Sequence, residues 1–145
     1  MKKRILVVED DADLLELLCF NLTKAGFATA AATTGIDALK KARSLTPDLI
    51  LLDLMLREID GFAVCEILRH DPTTAFVPII MLTALSNSLA RIRGLAAGAD
   101  DYVTKPFGYK HLLSRIQTVL HAAPRLRQFR DVPRTLRPRP SPLAF

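Results

Sequence analysis

The chain holds 145 residues, half of them apolar, which is enough for one domain with a proper core and too few for two ordinary ones. No apolar stretch approaches the roughly 18 residues of a membrane span, and Met1-Lys2-Lys3-Arg4 precedes too short an apolar run for a signal peptide, so a cytoplasmic protein without membrane contact is expected. The formal net charge of +5 belongs to residues 122–145, with six arginines and one acid, whereas residues 1–121 balance 14 basic against 14 acidic side chains.

Strand-like and helix-like segments alternate along the main body. Residues 4–9 form a short Leu and β-branched run. Residues 12–25 put Leu14, Leu15, Leu18 and Leu22 on one helical face, closed by Gly26 where a left-handed backbone is tolerated. A weaker strand, 27–32, leads to Thr34, an N-cap for a helix carrying Ile36, Leu39 and Ala42 to about Leu45. Pro47-Asp48 then breaks the chain before the strand 49–53. After a loop with Arg57, Glu58 and Asp60-Gly61, the stripe Phe62, Cys65, Ile67 and Leu68 marks a third helix, and Pro78 opens a strand at 79–82. A fourth helix is expected over 86–97, ending at Gly98, then a strand at 101–104 and a last helix at 109–121.

Five strands alternating with five helices, three of the strands almost wholly apolar, point to a doubly wound α/β sandwich with a parallel sheet covered on both faces. The expected body spans residues 1–122. Five prolines after residue 122 make 123–145 a mostly extended Pro/Arg-rich tail. Cys19 and Cys65 lie in helical segments without metal-ligand spacing and read as reduced core or boundary thiols.

Acids cluster at predicted strand ends. Glu9, Asp10 and Asp11 follow the first strand and Asp53 ends the third. An ionised carboxylate removed from water costs several kcal/mol, of order, unless it is paired or ligates a cation, so two such ends point to one shared ion. Asp11 also has the simpler role of capping the first helix. In a doubly wound sheet, ligands bind beyond the carboxyl ends of the strands, where Glu9, Asp10, Asp53, Thr83 and Lys105 converge. Several carboxylates with a backbone carbonyl suit a hard ion such as Mg²⁺. No glycine-rich phosphate loop follows the first strand, which argues against nucleotide binding. A carboxylate is itself a phosphoryl acceptor in aspartyl-phosphate chemistry, and Asp53 has both the neighbouring acids and the apolar strand to hold it still.

The motifs ILVVEDD (5–11), LILLDLML (49–56), IIMLTA (79–84) and GADDYVTKPF (98–107), in this order, resemble the receiver domain of two-component response regulators, most closely the OmpR/PhoB-like branch. The resemblance covers residues 3 to about 121. It implies a (βα)5 flavodoxin-like sandwich with strand order 2-1-3-4-5, and Asp53 as phosphoacceptor. Asp10, Asp53 and the Met55 backbone carbonyl would ligate Mg²⁺ or Mn²⁺, with Glu9 acting through water. Lys105 would bind the phosphoryl group, with a cis bond to Pro106, and Thr83 with Tyr102 would form the switch pair. The phosphoryl donor would be a histidine kinase or a histidine phosphotransfer protein. The switching face would be that of the fourth helix, fifth strand and fifth helix, with Arg91, Asp100, Asp101, Lys110 and Arg115 available to a homodimer on phosphorylation.

Departures from the family pattern carry their own expectations. Arg57 stands where proline is usual, and its charge beside an acidic pocket is expected to weaken Mg²⁺ binding modestly. Met55 and Leu85 occupy positions that influence hydrolysis in the family. Neither orients a water, so a long-lived phosphorylated form is expected. His111 stands where an acid usually meets Arg91, which leaves fewer dimer ion pairs. For the output, a stand-alone receiver acting by protein contact or phosphorelay is expected, with two alternatives. One is the front of a DNA-binding regulator, and the other is a receiver whose basic tail binds nucleic acid. An Mg²⁺-dependent aspartyl phosphatase is less consistent, because its second Asp is replaced by Met55.

Overall fold

The computed structural model describes residues 2–84 and 88–131. Strands β1 (Arg4–Val8), β2 (Ala28–Ala32), β3 (Leu49–Asp53), β4 (Ile79–Thr83) and β5 (Asp101–Thr104) alternate with helices α1 (Ala12–Lys24), α2 (Gly35–Leu45), α3 (Gly61–His70), α4 (Ser88–Ala96) and α5 (Tyr109–Asp131). All strand pairs are parallel, in the order β2-β1-β3-β4-β5.

The apolar strands are explained by the two layers they separate. On one face Ile5, Val7, Leu49, Leu51, Ile80 and Leu82 pack with Leu18 and Leu22 of α1 and Leu112 and Ile116 of α5. On the other, Leu6, Val8, Ile50, Leu52, Ile79 and Met81 meet Ala38 and Ala42 of α2 and Val64, Cys65 and Leu68 of α3. Successive strand residues point to opposite faces, so with both faces covered no polar alternation survives. Each buried aliphatic side chain contributes about 1.5–3 kcal/mol to folding.

The helix starts follow the capping rules. Asp11 accepts from the backbone N–H groups of Asp13 and Leu14, and Thr34 from that of Asp37. Asp60 caps α3 through Ala63. Gly26 leaves α1 with a φ of +101°, the left-handed region its position predicted.

Three differences from the sequence reading have physical reasons. Helix α5 runs to Asp131, so residues 123–131 are helical rather than extended. The tail's prolines were expected to bar a helix beyond about Asp131, where α5 ends; before that point Pro124 gives up one backbone donor but is followed by the good helix formers Arg125, Leu126, Arg127 and Gln128. Residues 132–145 lie outside the described residues. Ile36 and Ile67, expected to face inward, are 52% and 42% exposed, because they line a shallow groove between α2 and α3 that the Arg43–Asp71 ion pair borders. Strand β1 ends at Val8, although the Glu9 N–H still donates to the Ala32 carbonyl at 3.0 Å.

Candidate functional site

Sheet order alone brings the acids together. From β1 the chain goes to β2 on one side and β3 then pairs on the other, so the carboxyl ends of β1 and β3 flank a topological switch point. Val8 is opposite Leu52, which puts Glu9 and Asp53 next along two adjacent strands. Thr83 ends β4 beside Asp53, and the Lys105 N–H donates to the Thr83 carbonyl at 2.6 Å. The Lys105–Pro106 peptide is cis, as the resemblance implied.

Glu9 and Asp53 are almost fully buried, and the Lys105 ammonium joins them: its Nζ lies 3.2 Å from Glu9 Oε2 and 3.3 Å from Asp53 Oδ2. Burial pushes the Glu9 carboxyl up to about 7, helped by its hydrogen bond with Asp53 and by that neighbour's charge, against the opposing pull of Lys105. Burial pulls the Lys105 ammonium down, but the attraction of Asp53 and Glu9 outweighs it and holds the group above its ordinary value.

Glu9, Asp10 and Asp53 each offer an oxygen, all within 4.8 Å of one another. The donor set is hard and negative, which fits a divalent cation of the Mg²⁺ or Ca²⁺ type better than a soft metal. Carboxylates this close repel one another, and a divalent ion would relieve that repulsion. Asp11 has separated from the cluster to cap α1, its N–H 3.4 Å from Glu9 Oε1.

The loop after Asp53 is held by its own backbone. The Met55 N–H donates to Asp53 Oδ1 at 3.1 Å, and the Gly61 N–H to the Leu54 carbonyl at 3.1 Å. A Cβ at Gly61 would sit 2.7 Å from the Leu54 Cα and 2.8 Å from the Asp53 carbonyl oxygen, so only glycine lets α3 start against the end of β3. Sequence reasoning had treated Asp60-Gly61 as loop punctuation, and that dipeptide was the available signal. On the other side, the buried Thr83 is hydrogen-bonded to the Tyr102 hydroxyl, and burial pushes that phenol up. The ring lies against Gly94, where a Cβ would be 3.0 Å from Met81 Sδ and 3.4 Å from Tyr102 Cδ2. A glycine inside a helical pattern was the missed sign of this contact.

Arg57 reaches Asp10, with Nε 3.6 Å from Oδ2, an ion pair too long for a hydrogen bond. Leu85 lies outside the described residues. The five candidate interface residues divide. Arg91 and Lys110 are exposed. Asp101 pairs with Arg115 within the chain at 2.5 Å. The Asp100 carboxylate turns inward: its Oδ2 accepts from Arg69 at 2.9 Å and from the Ile79 N–H at 2.8 Å. Arg69 also donates to the carbonyls of Gly98, at 2.8 Å, and Val77, at 2.6 Å, tying the end of α3 to the starts of β4 and β5.

A profile of the response regulator receiver domain matches residues 5–117. The chain is 45% identical over 125 residues to the DNA-binding dual master transcriptional regulator RpaA of Synechocystis, covering 86% of this chain and 52% of that protein. To the DNA-binding response regulator MtrA of Mycobacterium tuberculosis it is 48% identical over 120 residues, 83% of this chain and 51% of MtrA. It therefore spans about half the length of the curated relatives it matches. The BeF3-activated N-terminal receiver domain of Klebsiella pneumoniae RstA superposes with a TM-score of 0.76 at 33% identity, covering 81% of this chain and 98% of that one. Among the described residues no helix is long and apolar enough to cross a membrane. With four motifs, the sheet order and the acid-lysine cluster all in agreement, the chain belongs to the response regulator receiver domains of two-component systems, in the OmpR/PhoB-like branch.

Proposed function

We propose that the chain accepts a phosphoryl group on Asp53 from a phosphohistidine of a kinase or phosphotransfer protein in the cytoplasm, in a reaction that needs Mg²⁺ or Mn²⁺. The observation that carries this reading is the Asp53 carboxylate, 2% exposed, set between the Lys105 ammonium and the carboxylates of Glu9 and Asp10. An Asp53 oxygen attacks phosphorus as the donor's P–N bond breaks. The imidazole nitrogen keeps the electron pair and takes a proton, and the product is a mixed anhydride. Asp10, Asp53 and the Met55 carbonyl would hold the ion, with Glu9 acting through water. When bound, the ion neutralises charge on the phosphoryl oxygens. Lys105 donates to a further oxygen from its place beside Asp53, and the Thr83 hydroxyl to a third.

Phosphorylation draws Thr83 away from Tyr102 and the freed ring turns inward, which biases the face of α4, β5 and α5 towards a partner or a second copy. On that face Arg91 and Lys110 are free to meet a partner, while Asp101 and Arg115 would have to exchange their mutual pair. The chain turns over no external phosphate ester, since Met55 supplies no general acid. The curated relatives named as DNA-binding favour a second reading, in which the same switch serves a DNA-binding domain. Intact mass after incubation with acetyl phosphate and Mg²⁺ tests the main reading: a gain of one phosphoryl group, absent in Asp53→Asn, supports it, and catalytic release of phosphate without a stable adduct overturns it.

A further inference from the structure

The two cations of the pocket divide the three acids between them. Lys105 pairs with Glu9 and Asp53, whereas the ion-pair partner of Asp10 among the described residues is Arg57. Their settings differ as well: the Arg57 side chain is 84% exposed, on the loop between β3 and α3, and the Asp10 side chain is 22% exposed. A guanidinium is a permanent cation with a planar fork of donors suited to carboxylates. Its contact with Asp10 falls on a carboxylate that a divalent ion needs.

We propose that Arg57 is a resident counter-cation of this pocket, paired with Asp10 in the metal-free protein and displaced when a divalent ion binds. The inference rests on the reading of Asp10 as a metal ligand. Ion and guanidinium are alternatives at one carboxylate, so metal binding also frees the guanidinium at the pocket mouth. An exposed ion pair is weak and screened by salt. Displacing it lowers Mg²⁺ affinity by about two- to fivefold at low salt and hardly at all at about 0.5 M salt.

Calorimetric Mg²⁺ titration of the full chain and of Arg57→Gln, at both salt concentrations, provides the test, together with the NMR signal of the Arg57 Nε–H. The variant is expected to bind at least about twofold tighter at low salt, with the difference gone at high salt, and the Nε–H signal to move in step with Mg²⁺ saturation. Arg57→Lys, which keeps the charge, is expected to stay near the unaltered protein. Equal affinities at low salt, weaker binding by Arg57→Gln, or an Nε–H signal that ignores Mg²⁺ would each overturn the proposal. Those results leave the metal site standing. Absence of Mg²⁺ binding in every protein removes the metal reading and this proposal with it.

Discussion

Removing the Asp100 carboxylate separates a structural role from an interface role. In Asp100→Ala the Arg69 guanidinium loses its counter-charge and the Ile79 N–H loses its acceptor. The side chains of Arg69 and Asp100 are 11% and 6% exposed, so water does little to replace either contact. Breaking a buried pair from one side costs about 3–5 kcal/mol. The lower end applies, because Arg69 keeps the carbonyls of Gly98 and Val77. A loss of about 3 kcal/mol corresponds to a melting temperature lower by roughly 10 °C in a chain of this size. Urea denaturation of the unphosphorylated protein reads this directly. The double variant Arg69→Met/Asp100→Leu should be less destabilised than the two single losses added together, since neither charge is then left alone. An Asp100→Ala protein within about 0.5 kcal/mol of the original, but unable to dimerise on phosphorylation, would refute the structural assignment and restore Asp100 to the interface.

The Glu9 carboxyl, raised in the fold from 4.5 to about 7, stabilises the metal-free protein fully below about pH 4.5, and that contribution is lost as pH rises through about 7. Urea midpoints should therefore fall over that window and flatten in Glu9→Gln, and a slope unchanged by the substitution would count against the raised Glu9 carboxyl. Because proton and cation compete for the same oxygens, Mg²⁺ affinity should weaken as pH drops below about 7, and titration at pH values on either side checks it. Gly61→Ala forces its Cβ against the Leu54 and Asp53 backbone. A cost of about 1–3 kcal/mol and slower phosphorylation are expected, and unaltered kinetics would show that the loop has room. Met55→Asn should shorten the phosphorylated lifetime, read as phosphate release, by giving a water a polar partner beside Asp53. A half-life of seconds in the unaltered protein would contradict the premise.

The fold was legible because its signals are local. The runs 5–8, 49–52 and 79–82 are apolar on both faces, Asp11 and Thr34 announce their helices, and Gly26 ends the first. The acid cluster was legible for the same reason, since Glu9 and Asp10 follow β1 directly and Asp53 ends β3. What the sequence hid depends on distant partners. Arg69 lies far along the chain from Asp100, so an acid that looked available to a dimer is consumed inside the monomer. Arg57 was expected beside the acidic pocket, but its partner there, Asp10, depends on the β1–β3 pairing that brings the two loops together. Gly61 and Gly94 matter for the absence of a side chain, which pattern reading counts as loop or helix weakness rather than as contact. At α5 a local rule misled, because proline's cost within a helix did not stop the chain at residue 122.

The central claim is that one carboxylate, Asp53, carries the phosphoryl group. An acyl phosphate is reduced by borohydride to the alcohol, so treating the phosphorylated protein and sequencing the tryptic peptide 44–57 by mass spectrometry locates the modified residue. Homoserine at position 53, absent from a sample that received no phosphodonor, is the predicted result. Homoserine at Asp48 of the same peptide, or in the tryptic peptide 5–24 homoserine at Asp10 or 5-hydroxynorvaline at Glu9, would contradict the account.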